Sequence, residues 1–143
     1  MENESDGARS FRLLGGSGSG LPPNPDEAIL ETFPNRHPAR DYWIDLDCPE
    51  FTSLCPVTGQ PDHARLTIRY VPDTRCVETK SLKFYLASFR NHRAFNEEVV
   101  NRIADDLLRT CAPRKLEVHG EFAPRGGIRL TVRVKHPAED SGD

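Results

Sequence analysis

The sequence predicts an α+β domain: an antiparallel four-stranded sheet with two sequential helices on one face, in the order ββααββ. Two changes of period carry this reading. Apolar residues alternate with polar ones from 42 to 47 and again from 65 to 70. They then recur at 3.6-residue spacing from 82 to 108, and return to alternation from 116 to 134. Period two marks a strand with one buried face, and period 3.6 marks an amphipathic helix. Strands joined by short connections pair antiparallel, and the helices then cover one face of the sheet.

Residues 1–37 read as a flexible tail. Five of the ten glycines lie in the first twenty residues, ending in Gly15-Gly16-Ser17-Gly18-Ser19-Gly20. The run Leu21-Pro22-Pro23-Asn24-Pro25 suits neither a helix interior nor a central strand, and a short helix is expected at 26–31. The folded domain is assigned to 38–136, and 137–143 to an acidic tail. Tyr42, Ile44 and Leu46 alternate with Trp43, Asp45 and Asp47, giving a first strand. Leu66, Ile68 and Tyr70 alternate with Arg65, Thr67 and Arg69, giving a second, followed by a short extended piece at Cys76-Val77. Leu82, Tyr85, Leu86 and Phe89 form one helical stripe; Phe95, Val99, Val100, Ile103, Leu107 and Leu108 form another, closed by Pro113. Leu116, Val118 and Phe122 and then Ile128, Leu130, Val132 and Val134 mark the last two strands. Pro124-Arg125-Gly126-Gly127 between them reads as a hairpin connection. The sheet has two open edges, and edge pairing between identical subunits would cover them; a homo-oligomer is expected.

Composition narrows the function. The 143 residues hold 19 Lys and Arg against 22 Asp and Glu, a net charge of −3. A protein built to bind nucleic acid directly carries a basic excess, so no such partner is expected. The longest apolar run is Phe84-Tyr85-Leu86-Ala87, far short of the ~20 residues a membrane helix needs. The acidic start, Met-Glu-Asn-Glu-Ser-Asp, lacks the positive region and apolar stretch of a secretory signal, so a cytoplasmic location is expected. The four cysteines are then expected to be reduced. They form no Cys-x-x-Cys pair, and no metal site is expected, although His63 with Cys55 and Cys48 leaves a zinc reading open.

Three segments hold residues suited to chemistry. Cys55-Pro56-Val57-Thr58-Gly59-Gln60-Pro61-Asp62-His63 lies between the first two strands. If the loop curls, Cys55 and Asp62 form a nucleophile and a general acid/base; spacing alone favours a small apolar cysteine and a turn aspartate. Glu78-Thr79-Lys80-Ser81-Leu82-Lys83 starts the first helix, with Ser81 as its cap. Lys80 and Lys83 there suit a phosphate, with Arg125 joining them if the hairpin folds over; an ordinary solvated helix start is the other reading. Asn96-Glu97-Glu98 opens the second helix. A carboxylate there either answers the helix dipole or accepts the paired N–H donors of a flat purine-like ring.

Taken together the blocks resemble a known family. Glu78-Thr79-Lys80-Ser81-Leu82-Lys83-Phe84-Tyr85 is similar to the signature Glu-[Ser/Thr/Leu]-Lys-[Ser/Ala]-x-Lys of the NADPH-dependent nitrile reductases of queuosine biosynthesis, a tRNA-modification pathway. Leu54-Cys55-Pro56-Val57-Thr58-Gly59-Gln60-Pro61-Asp62 resembles their nucleophile loop. Phe89-Arg90-Asn91-His92, Glu97 and Pro124-Arg125-Gly126-Gly127-Ile128 follow in the same order, so the likeness spans about 33–134. The resemblance implies the short, single-domain subgroup and the tunnelling fold, in which subunit sheets join into a barrel and pentameric rings stack as a decamer. It implies reduction of 7-cyano-7-deazaguanine to 7-aminomethyl-7-deazaguanine, through a thioimide on Cys55 with Asp62 as proton donor. Val77, Glu78, Thr79, Asn96 and Glu97 would hold the deazapurine. Lys80, Ser81, Lys83 and Arg125 would hold the phosphates of NADPH, the co-substrate. Asn96 departs from the histidine usual before the binding glutamate; it can hydrogen-bond but not carry a proton. Other readings on the same fold are an amidine-forming transferase and a purine-binding protein without catalysis; a zinc-dependent cyclohydrolase is a weaker one.

Overall fold

Leu66, Ile68 and Tyr70 lie at the centre of the domain. The computed structural model describes residues 20–138, and in it these side chains are buried on one face of β3 (Pro61–Val71). The strand is flanked by β2 (Ile44–Leu54) and β5 (Lys115–Phe122), and β6 (Thr131–His136) completes an antiparallel sheet of order β2-β3-β5-β6. The expected sheet is therefore present, and β2 and β6 are its open edges.

Strands β2 and β3 run beyond the segments assigned from periodicity. Register slips between Cys48 and Phe51, so Pro49 and Glu50 sit in a bulge. Proline cannot donate to a ladder, and a bulge on an edge strand is where it fits. Past the bulge the alternation resumes: Phe51 and Ser53 are buried, paired with Ala64 and Asp62. Asp62 thus stands on a strand, facing the protein interior, rather than in the loop.

The helices are α1 (Thr79–Ala87) and α2 (Asn96–Cys111). Leu82 and Tyr85 of α1, and Val99, Val100, Ile103 and Leu107 of α2, join one core cluster with the inward side chains of the sheet. Burial of each such aliphatic side chain is worth about 1.5–3 kcal/mol, and α2 alone supplies four. The first stripe breaks after Ala87, and Phe89 enters the core from a 3-10 turn at Ser88–Asn91. Phe95 departs from expectation: it precedes α2 as its N-cap and is 54% exposed. At the other end Ala112 takes a left-handed cap, with φ 46°, and Pro113 follows it. Ile128 likewise lies outside β6, exposed at the hairpin tip.

The assigned tail is corrected by the structure. Residues 1–19 and 139–143 lie outside the described part, but 24–37 are built into the domain. The expected helix at 26–31 is a single 3-10 turn, Pro25–Glu27, capped by the Asn24 side chain. Strand β1 (Thr32–Pro34) pairs antiparallel with β4 (Arg75–Val77), a second small sheet that the 3.6- and 2-residue periods do not reveal. Prolines keep this segment out of the main sheet, yet several polar ties hold it, two of them to the helices. Asp26 bonds Arg102 at 2.8 Å, and the Glu31 N–H donates to Ser81 Oγ at 2.9 Å.

Asp106 links this strap to both helices. It is 3% exposed and accepts from the Tyr85 hydroxyl at 2.5 Å, Arg102 Nε at 2.9 Å and Arg109 Nη1 at 2.7 Å. Burial pushes its carboxyl up, but those bonds outweigh burial and hold it below the usual carboxylate range. Asp106→Ala is expected to lower the unfolding free energy by about 2–3 kcal/mol, the loss of charged hydrogen bonds plus a stranded tyrosine hydroxyl. Urea unfolding measures it; a change below about 0.5 kcal/mol would show that Asp106 is a surface-like group.

Candidate active site

Strand β2 ends where the chain turns through Cys55–Gln60 into β3. The Cys55 N–H donates to the Gln60 carbonyl at 2.9 Å, and the Gly59 N–H donates to the Cys55 carbonyl at 2.9 Å. Closing so short a turn requires φ +73° at Gly59. A Cβ there would stand 2.7 Å from Arg93 Nη2, the movable end of a long side chain, so it is the backbone conformation that calls for glycine. The turn aims the Thr58 N–H at Cys55 Sγ, 3.5 Å away.

These contacts shape the thiol. Bonding to Thr58, through its side chain first and then its backbone, with a further contribution from the Val57 backbone, holds the Cys55 thiol below the ordinary cysteine value. Partial burial and the charge of Asp62 oppose the shift without reversing it. The other cysteines differ: Cys76 and Cys111 are buried, burial raises Cys111 to about 11, and burial followed by the Asp47 charge raises Cys48. Cys55 is thus the thiol suited to nucleophilic attack.

Asp62 is 6% exposed on β3. Its carboxylate receives Arg125 Nη1 at 2.6 Å, while Arg125 Nη2 donates to Gln60 Oε1 at 2.5 Å. Arg125 starts the β5–β6 turn, where Arg125 and Ile128 exchange backbone hydrogen bonds around Gly126 (φ 59°) and Gly127 (φ 79°). Two central residues with positive φ identify a primed hairpin turn, which glycine favours. The α2 start belongs to the same end. The Leu54 N–H donates to the His92 carbonyl and the Ala94 N–H to the Leu54 carbonyl, which puts Asn96 and exposed Glu97 close behind the Cys55 turn. Asn96 Oδ1 is buried and has no hydrogen-bond partner among the described residues.

The remaining expected site residues lie at the opposite end of the domain. Asp62 and Tyr70 are eight residues apart on β3, about 26 Å at the rise of a strand. The Tyr70 hydroxyl accepts the Val77 N–H at 2.9 Å, which puts Val77, Glu78 and Thr79 beyond reach of Cys55 in the same chain. Lys80, in the first turn of α1, is at that end too, and Lys83 lies one turn further along the helix. Lys83 and Thr79 open onto a groove of about 710 Å³ between β2 and α1, with Cys48, Phe51 and Leu86 in its wall.

Three expectations are corrected here. The hairpin does not carry Arg125 to Lys80 and Lys83; the guanidinium is bound to Asp62 and Gln60. Glu78, not Ser81, caps α1: its carboxylate accepts from the Lys80 N–H at 2.9 Å and the Ser81 N–H at 2.7 Å. Ser81 is wholly buried, its Oγ accepting from the Glu31 N–H and donating to the Glu78 carbonyl at 2.8 Å. A hydroxyl so enclosed does not hold a cofactor phosphate. Sequence reasoning assigned no role to Thr58, Gln60 or Arg93. Thr58 and Gln60 sit inside the quoted loop, where only the turn geometry reveals their bonds.

A sequence model described as "QueF-like protein" matches residues 61–141, more than half of the chain. The chain belongs to the QueF-like family. A QueF-like relative from Magnetococcus marinus is 56% identical over 117 residues, covering 82% of this chain and 91% of its own. One from Anaeromyxobacter sp. (strain K) is 56% identical over 113 residues, covering 79% and 93%. One from Bacteroides fragilis is 59% identical over 102 residues, covering 71% and 68%. All three are named NADPH-dependent 7-cyano-7-deazaguanine reductases. The fold also matches a crystal structure titled as the apo archaeosine synthase QueF-Like, with a TM-score of 0.64 at 16% identity, over 68% of this chain and 96% of that one. That match establishes shared architecture. No helix among the described residues is long and apolar enough to cross a membrane.

The turn geometry makes the QueF-like thiol testable. Thr58→Ala removes the largest influence that lowers the Cys55 thiol, so its alkylation by iodoacetamide shifts to higher pH and slows at neutral pH. Mass-resolved labelling of Cys55 across pH 6–10 measures the shift; superimposable curves for the two proteins would remove Thr58 from this role.

Proposed function

We propose that this chain is an NADPH-dependent reductase that converts the nitrile of 7-cyano-7-deazaguanine to the aminomethyl group, in the pathway that makes queuosine. The observation that carries the reading is a low-lying cysteine thiol beside a buried aspartate, on a chain 56–59% identical to proteins named for that reaction. Those names favour reduction over an amidine-forming transfer or simple purine binding.

A nitrile carbon is a weak electrophile, and covalent capture divides a difficult reduction into easier steps. Cys55 sulfur bonds to that carbon. Asp62, which accepts a hydrogen bond from Arg125, takes the thiol proton and returns it to the nitrile nitrogen, giving a neutral thioimide. NADPH supplies a hydride to the thioimide carbon. The C–S bond then breaks, releasing thiolate and leaving an imine. A second hydride and a proton give the amine, so two NADPH are consumed per nitrile. Glu97 accepts the paired N–H donors of the deazaguanine edge, and Asn96 hydrogen-bonds beside it without carrying a proton. Val77, Glu78 and Thr79 complete the base pocket. Lys80, Lys83 and Arg125 hold the cofactor phosphates; a guanidinium has five N–H donors, enough to retain Asp62 and still meet a phosphate.

These residues lie at opposite ends of one chain, so the pocket forms between copies. The open edges of β2 and β6 supply the means of joining, and a barrel of stacked pentameric rings places the Cys55 end of one subunit against the α1 start of its neighbour.

Two experiments test this reading. Intact mass spectrometry after mixing with the cyano base, without NADPH, is expected to show a gain equal to that base; Cys55→Ala abolishes both the gain and turnover. A fully active Cys55→Ala protein would sink the mechanism. Subunit mixing tests the shared pocket. Cys55→Ala and a Lys80→Glu/Lys83→Glu variant are each inactive alone. Reassembled together in equal amounts, they recover about a quarter of the activity if each pocket draws on two subunits. Recovery of none would confine the site to one chain.

A further inference from the structure

Arg125 is tied to the catalytic end by more bonds than a phosphate ligand needs. Its two terminal nitrogens go to different partners, Asp62 Oδ1 at 2.6 Å and Gln60 Oε1 at 2.5 Å. Gln60 is in turn bound to the nucleophile, because its carbonyl accepts the Cys55 N–H. The base of the hairpin is fixed as well: the Ala123 N–H donates to the His63 carbonyl at 2.8 Å, and the Phe122 N–H to the Leu130 carbonyl at 2.9 Å. Arg125 therefore departs from an anchored backbone, over the first residues of β3. The Asp62 side chain is 8% exposed and that of Arg125 40%. A carboxylate so shielded needs a charged donor, and a half-covered guanidinium meets that need while keeping N–H groups open to solvent.

We propose that Arg125 is a positioning residue for the covalent step: its guanidinium fork holds the Asp62 carboxylate and the Gln60 amide at once, and so fixes the acid–base group against the Cys55 turn. The inference rests on the nitrile-reductase reading, and adds a role that operates before any cofactor is needed. In the step it serves, the thiol proton passes to the Asp62 carboxylate and on to the nitrile nitrogen as the C–S bond forms. Arg125 gives up no proton. It supplies the fork that ties the Asp62 carboxylate to Gln60, and through the Gln60 backbone to the Cys55 turn. Binding of a cofactor phosphate to the open side of the same guanidinium then links the hydride donor to the proton donor through one side chain.

The role separates from phosphate binding by experiment. Adduct formation with the cyano base in the absence of NADPH is followed by intact mass for the wild-type protein, Arg125→Ala and Arg125→Lys, with the KM for NADPH measured in parallel. Loss of positioning slows adduct formation about tenfold or more in both variants. Lysine keeps the charge for a phosphate but cannot span two partners with a planar fork, so Arg125→Lys keeps a near-normal KM for NADPH while its adduct still forms slowly. Adduct formation at the wild-type rate in either variant overturns the proposal, and a raised KM alone leaves Arg125 a phosphate ligand only. Thermal melting identifies any loss of fold in Arg125→Ala, in which case Arg125→Lys decides. Absence of an adduct in the wild-type protein would instead overturn the nitrile-reductase reading, and the proposal with it.

Discussion

The length of the β2–β3 ladder governs where chemistry can happen in this protein. Both strands have eleven residues, and one-sided burial fixes their register, because a slip by one residue would send Leu66, Ile68 and Tyr70 to solvent. The closed end of the ladder carries Cys55, with Asp62 just inside it. The open end carries Tyr70, whose hydroxyl fixes the approach of Val77 and so of Glu78 and α1. A bicyclic base is far shorter than the distance between them. Residues at both ends serve one ligand only if one copy's closed end meets another's open end. Under the proposed function assembly is a requirement of the site, and the uncovered edges of β2 and β6 offer the means.

Electrostatics at the closed end combine opposed demands. A thiol is easiest to ionise away from negative charge, yet the proposed nitrile addition needs a proton carrier close by, and the carrier proposed, Asp62, is a carboxyl group. The turn resolves this locally. Thr58 stabilises the sulfur through short-range bonds whose direction is set by Gly59, while Arg125 answers the charge of Asp62 from the other side. The Cys55 sulfur and the Asp62 carboxylate each have their own donor, and the Asp62 charge opposes the lowering of the thiol without reversing it. Low exposure of Asp62 strengthens both the benefit and the penalty, which is why the acid sits on a strand rather than on the loop.

The layout of the main sheet and the helices was legible in the sequence because it rests on periodicity. Leu66, Ile68 and Tyr70, and Val99, Val100, Ile103 and Leu107, occupy the faces their spacing implies. The strand ends were not legible, since Pro49 looks like a terminator and is a bulge. Phe95 fits the helical spacing, but the helix begins one residue later and leaves it outside. The strap at 24–34 was hidden for a different reason: proline-rich sequence has no period, and its attachment depends on Ser81 and Arg102, fifty and more residues away. At the site, family blocks marked Cys55, Asp62 and Glu97. Spacing could not show that Arg125 faces Asp62, because that contact crosses 63 positions of sequence and depends on a two-glycine turn.

Glu78 caps α1 with a side chain that still has room for the recognition role proposed for it. Its carboxylate spends two acceptor positions on the first N–H groups of α1, and its backbone N–H is bound to the Glu31 carbonyl. A carboxylate has about four acceptor sites, so roughly two remain for a ligand N–H. The cap fixes the rotamer before any ligand arrives, which removes ordering entropy that a free glutamate would lose on binding. Ser81 extends the same logic inward, holding the Glu78 carbonyl on one side and the strap on the other. Its place within the signature is then explained by the backbone it sets, while the Lys80 and Lys83 ammonium groups lie over the Phe84 ring and are the ones proposed to meet a phosphate. In the proposed pocket one short motif thus divides between residues that build the wall and residues assigned to the ligand.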